Sequence, residues 1–155
     1  MKFSTKAHYG LRAMTELARG YYRGPLALAD IAQAEGLSLG YLEQLMARLR
    51  RAGLVKATRG VHGGYHLVAP PSLVTVGDVL RALEGPIEPV RCASEVADRC
   101  DCQRHDSCRS RQVWERVRDT MAGLLDSMTL ADLAPPIDTD DQPAAVADVE
   151  VAVGR

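Results

Sequence analysis

No apolar run in these 155 residues approaches the ~20 that a membrane-spanning helix needs. Met1-Lys2-Phe3 opens straight into a helical pattern, so no signal peptide is expected and a cytoplasmic location is implied. Paired carboxylates in a pocket-like context, a nucleophile motif and a phosphate loop are all missing. The glycine-rich run RGVHGGYH lacks the following helix that a phosphate cradle requires. An enzyme is therefore not expected. Cysteine is missing outside one 17-residue window, which holds Cys92, Cys100, Cys102 and Cys108. In a cytoplasmic chain that grouping favours a metal or redox site over disulfides.

The composition is that of an ordinary globular protein, 46% apolar and 25% charged. The length suits one domain, or one domain plus an appendage. The net charge of −1 hides an asymmetry. Residues 1–81 carry 11 Lys and Arg against 5 Asp and Glu, and residues 82–155 carry 8 against 15. A basic half beside an acidic half suits a nucleic-acid-binding face with a separate switching or tail region, although a solvated face gives the same balance.

The central stretch, residues 28–67, reads as two short helices joined by a tight turn, then a two-stranded hairpin. Before it, residues 4–19 form a helix capped by Ser4, with Tyr9, Ala13, Met14, Leu17 and Ala18 on one face. Lys6 and Arg12 stay polar and are placed to reach phosphates. The second helix starts near Leu28 and turns Ile31 and Ala32 inward. Gly36 takes the awkward backbone angles of the turn, Leu37 plugs the core and Ser38 caps the next helix. That third helix, about Leu39 to Ala52, buries Leu42, Leu45, Met46 and Leu49. It shows Tyr41, Gln44, Arg48 and Arg51 outward, the chemistry of a recognition helix. Strands Leu54–Lys56 and Tyr65–Val68 then flank a turn from Arg59 to Gly64. Such a tip can press close to DNA and insert the Arg59 guanidinium into a narrow minor groove. His62 is expected to meet phosphate or solvent.

Pro70-Pro71 ends the hairpin. A fourth helix is expected from Ser72 to Leu83, with Thr75 as its cap and Val76, Val79, Leu80 and Leu83 inward. Residues 87–109 lack any period and form a loop. A fifth helix, capped by Ser110, runs from about Arg111 to Met128 with the stripe Val113, Trp114, Val117, Met121, Leu124, Leu125 and Met128. That stripe is wide enough for a dimerisation helix, the alternative being a fold back onto its own core. Thr129 to Leu133 is a last capped turn. The resulting fold class is mainly α: a winged helix-turn-helix DNA-binding domain over 1–86 with a two-stranded wing. A cysteine-containing loop (87–109), a dimerisation helix with its closing turn (110–134) and a disordered acidic tail (135–155) complete it.

KFSTKAHYGLRAM, LSLGYLEQLMARLRRAGLVKATRGVHGGYHL, TVGDVLRALEGPIEPV and TLADL occur in that order through residues 1–134. They resemble the bacterial winged-helix regulators that include IscR, NsrR, RirA and CymR. The resemblance implies a homodimeric transcriptional regulator, most often a repressor, on a palindromic double-stranded operator. It places base contacts at Ser38, Gly40, Tyr41, Glu43 and Gln44, with Arg48 on the same helix and Arg59 in the minor groove. Gly40 stands where relatives often carry a larger polar residue.

Sensing members of the group hold an iron–sulfur cluster on three loop cysteines. Here Cys102-x5-Cys108 matches one family spacing and Cys92-x7-Cys100 a version of the other. The implied trio is Cys92, Cys108 and either Cys102, which we favour, or Cys100, for a 2Fe-2S or 4Fe-4S cluster. The histidine ligand of IscR is replaced by Arg111, so His8 or, inside the loop, His105 is the candidate fourth ligand. Four-thiolate zinc is an alternative, although Cys100-x-Cys102 is an awkward chelate for one tetrahedral ion. A thiol switch is another. The first 90 residues, especially STKAHYGL and EGPIEPV, resemble the CymR branch, which lacks the cysteine set. That branch acts in sulfur metabolism through a partner enzyme of cysteine synthesis.

Overall fold

The computed structural model describes residues 3–96, 102–103 and 107–134; Cys100, His105 and the tail 135–155 lie outside them. Helix α1 spans Thr5–Arg19, and the Ser4 hydroxyl caps it by accepting from the Lys6 N–H at 3.1 Å. Its buried residues, Ala7, Gly10, Ala13, Met14, Leu17 and Ala18, recur at three and four, one stripe of a helix. Helix α2 (Leu28–Glu35) ends at Gly36 with φ 64°, and α3 (Leu39–Arg51) begins after two more residues. The left-handed Gly36 lets the Leu37 N–H return to the Ala32 carbonyl at 2.9 Å, which closes the turn and starts α3 at a fixed angle.

Strands β1 (Val55–Thr58) and β2 (Gly64–Leu67) form the antiparallel wing, Val55 opposite Leu67. The hairpin is thus longer at its tip than expected. A pairing with no signal in the sequence flanks it: Leu26 forms a single antiparallel bridge with Tyr65 through bonds of 2.8 and 2.9 Å, just before α2. Gly64 is needed there, because a Cβ would collide with the Leu26 carbonyl.

Helix α4 is Val76–Glu84, starting four residues later than expected. Pro71–Leu73 instead form one 3-10 turn, and Val74 is extended. The reason is tertiary. The Val74 carbonyl accepts from the Leu130 N–H at 2.9 Å and the Val76 N–H donates to the Met128 carbonyl at 2.8 Å. Thr75 caps α4 as expected, in a reciprocal box with Asp78. Helix α5 runs Arg109–Ser127, beginning two residues before the expected start, with Cys108 rather than Ser110 at the cap position. Ser110 lies in its first turn, its hydroxyl 3.1 Å from the Cys108 sulfur. The short α6 (Leu130–Leu133) carries a second box, Thr129 with Asp132. Among the described residues no helix is long and apolar enough to cross a membrane.

The core gathers Met14 and Leu17 of α1, Leu42, Leu45, Met46 and Leu49 of α3, and Val79 and Leu83 of α4 around the hairpin's Val55 and Leu67. Leu130 joins them at 0% exposure. The end of the chain's described part is thereby sewn into the same core as the helix-turn-helix. Leu130→Ala is expected to destabilise the whole domain by about 2–5 kcal/mol, the range for a buried leucine leaving a cavity. Urea unfolding monitored by circular dichroism checks this, and an unchanged midpoint would separate α6 from the core.

Candidate functional site

The first turn of α3 is open to solvent. Gly40, Glu43 and Gln44 are exposed, and a Cβ on Gly40 would meet nothing within 4 Å. The Gln44 and Arg48 side chains make no hydrogen bond or ion pair with the described chain, leaving their donors available. Ser38 is exposed too; its oxygen accepts the Tyr41 N–H at 3.3 Å, which leaves its O–H and one lone pair to face outward. Tyr41 departs from expectation. It is half-buried, its ring standing edge-on to Tyr9 at 6.2 Å, and its hydroxyl is buried without a partner. Arg12 is also committed inside the domain: it pairs with Glu35, tying α1 to α2, and lies 5.9 Å over the Tyr9 ring. Arg48, Arg50 and Arg51 share the last turn of α3, where the helix dipole favours positive charge.

The wing tip presents Arg59, Val61 and His62 to solvent, Val61 at 97% exposure. Gly60 (φ 115°) makes the bend, and the Gly63 N–H returns to its carbonyl at 3.0 Å. A guanidinium on so short a closed loop has less backbone freedom to lose on binding.

Helix α5 has no buried residue. Leu125 turns back onto Ala7, Val76 and Leu80, while Val113 (59%), Trp114, Val117 and Leu124 (61%) stay exposed along the other side. The expected stripe therefore divides: Leu125 folds back, Met121 is half-buried, and Val113, Trp114, Val117, Leu124 and Met128 are exposed.

Cys92 sits in a 3-10 turn, Arg91–Ala93, and Cys108 just before α5; both are half-buried, and Cys102 is exposed. The Arg118 guanidinium holds the Cys92 turn by donating to the Ser94 carbonyl at 3.0 Å. Arg118 is ten residues into α5 from Cys108, roughly 15 Å along the helix axis. His8 is exposed on α1, its ring 5.2 Å from that of Tyr9. Among the described residues no three His, Cys, Asp or Glu side chains converge as a metal site.

One group at this junction carries no motif in the sequence. Arg81 of α4 grips Glu95, just beyond the Cys92 turn, through Nε at 3.0 and 3.1 Å and Nη2 at 2.5 Å. The same guanidinium reaches Asp126 of α5 at 2.5 and 2.9 Å, and Glu95 also accepts the Ile87 N–H at 2.7 Å. Arg81 holds both carboxyls below their ordinary range, chiefly by these hydrogen bonds. The legible signal is Gly77, one turn before Arg81, where a Cβ would strike Asp126. A bare position beside a long cation lets a second helix come close.

Over residues 3–136 the chain matches the Rrf2 family, described as iron-dependent transcriptional regulators. The HTH-type transcriptional regulator CymR of Bacillus subtilis (strain 168) is 45% identical over 142 residues, covering 92% of this chain and 96% of that protein. The HTH-type transcriptional regulator IscR of Escherichia coli (strain K12 / DH10B) is 38% identical over 133 residues, covering 86% and 80%. The solved structure of CymR, the global cysteine regulator of B. subtilis, superposes with a TM-score of 0.71 at 48% identity, covering 86% of this chain and 96% of that one. T. potens IscR gives 0.70 at 40% identity, covering 94% of each.

The Arg81 junction predicts a pH dependence. Glu95 and Asp126 have folded values below their unfolded ones, so their stabilisation is complete above the ordinary carboxylate range. It is lost as pH falls through that range toward the depressed values. Arg81→Met should cost about 1–2 kcal/mol near neutrality, at the low end because the network is partly open to water. It should also flatten the fall in stability between about pH 5 and pH 2. Thermal unfolding across pH checks both, and parallel wild-type and variant curves would contradict the assignment.

Proposed function

Because the chain belongs to the Rrf2 family and is a transcriptional regulator, not an enzyme, we propose that it acts as a two-fold homodimer paired through α5. The dimer sets the first turn of each α3 into the major groove of a palindromic operator and each Arg59 into the adjoining minor groove. The bound dimer acts as a repressor. The carrying observation is the open apolar face of α5, on a helix with no buried residue of its own. Such a face costs free energy in water and is satisfied by an identical face related by a two-fold axis.

Gln44, Arg48 and Arg59, whose side chains are unpaired within the described chain, supply the donors for bases and phosphates. Leu124→Glu is expected to give a monomer that still folds and binds operator at least about tenfold more weakly. Arg59→Ala and Gln44→Ala should stay dimeric yet lose affinity, by about 1–3 kcal/mol each. Sedimentation and salt-controlled gel shifts separate the two classes. Dimeric Leu124→Glu would move the interface elsewhere, and unchanged affinity in both alanine variants would move the reading face.

The regulation we infer runs through the cysteine segment. It leaves α4 under the Arg81 clamp and re-enters the fold at the start of α5, so any bond drawing its thiols together alters that span. The donor set fits an iron–sulfur cluster in chemistry, since thiolates are soft anionic ligands. Cys92, Cys102 and Cys108 would hold it, with His8 as fourth ligand, and the group would supply redox and nitric-oxide chemistry. In position they are not gathered among the described residues, so ligation requires the loop to close.

A second reading is favoured by the 45% identity to CymR. Here the protein is a cluster-free regulator of cysteine or sulfur metabolism, controlled by thiol oxidation or by an enzyme of cysteine synthesis. An absorption spectrum with iron and sulfide analysis, on protein purified without oxygen, decides between them. Visible bands with matching iron and sulfide, lost in Cys92→Ala and Cys108→Ala, are expected for the cluster. A colourless protein that stays iron-free after reconstitution selects the second reading.

A further inference from the structure

The wing has a second face. Its ladder turns Val55 and Leu67 into the core, so Lys56 and His66, directly opposite one another, share the other side. The connector from α1 to α2 passes here, and Tyr21, Gly24 and Pro25 line an open cleft of about 360 Å³ with Lys56, His66, Leu67 and Val68. No aspartate or glutamate lines it. Lys56 makes no ion pair among the described residues. The Tyr21 hydroxyl likewise makes no hydrogen bond there, and His66 Nδ1 is buried without a partner. The ring is thus held by packing, and Nε2 is the nitrogen left for a ligand. A lysine opposite a histidine gains nothing from the pairing itself. The cleft therefore concentrates donors and positive charge with nothing inside the described chain to accept from them.

We propose that this cleft binds a small anion, a carboxylate or phosphate group, with Lys56 supplying the charge and His66 and Tyr21 donating hydrogen bonds. One wall is the wing and the other leads into α2, so an occupied cleft adds a side-chain tie to the Leu26–Tyr65 pairing that already joins them. The anion comes either from free solute or from a backbone phosphate of bound DNA; the recognising chemistry is the same. This assignment stands apart from the dimer face and from the cysteines.

Inorganic phosphate and acetate are titrated separately into the full-length protein while the His66 ring resonances are monitored. A saturable shift is expected, weakened about tenfold or more in Lys56→Gln and retained in Lys56→Arg. Lys56 is exposed, so the variant should fold, and its unfolding midpoint is the control. In parallel, duplex affinity is measured against salt. A slope smaller by about 1 in Lys56→Gln, with affinity also lost in His66→Gln, assigns the anion to DNA. An unchanged slope with saturable phosphate or acetate binding assigns it to a free solute. No saturable shift together with an unchanged slope overturns the proposal, as does a shift that Lys56→Gln leaves intact.

Discussion

Two backbone hydrogen bonds between residues 74–76 and 128–130 hold the rest of the molecule in relation. They place Leu130 at the centre of the core that α1, α3 and α4 build, and they fix where α5 must end. Helix α5 contributes no fully buried residue and packs back chiefly through Leu125, so its direction is set largely by its attachments. Those attachments are the 74–130 pairing at its foot, Asp126 on Arg81, and Arg118 on the Ser94 carbonyl. A helix held this way is a lever: small changes at the anchors become larger ones at its far end.

The lever matters because the reading elements are rigid against the same core. The Gly36 turn sets α3, and the Leu26–Tyr65 pairing ties the wing to the start of α2. In the proposed dimer, with both so fixed, the spacing between the two copies depends on that helix. Operator recognition by a two-fold reader is sensitive to that spacing, since both helices must meet grooves about one turn apart. In the proposed regulation, the Arg81 junction is where a change in the cysteine segment would reach α5. One guanidinium joins α4, the residues after Cys92, and α5, and charge-assisted bonds of this geometry resist shear better than apolar contact.

The chain is similar both to CymR, a cysteine regulator, and to IscR. The cysteines proposed as ligands all lie in the one segment between α4 and α5. Regulators built this way keep the DNA-reading core under packing constraint and let the sensing chemistry vary in a loop that buries little.

Much of the reader was legible in the amino-acid order alone, because its determinants are local. Ser38 caps α3, Gly36 takes a left-handed turn, Thr75 caps α4, and apolar residues recur at helical spacing through α1, α3 and α4. Each depends on neighbours within about four positions, where periodicity and capping act. Three features were decided only in three dimensions. Val74 is extended instead of helical because Leu130, far along the chain, needs its carbonyl. Tyr41 turns partly inward because Tyr9 of another helix offers its ring. Arg81, an ordinary surface residue by pattern, becomes a junction because Gly77 lets α5 approach. Partners distant in sequence leave no period to read, and only the packed chain brings them within hydrogen-bond reach.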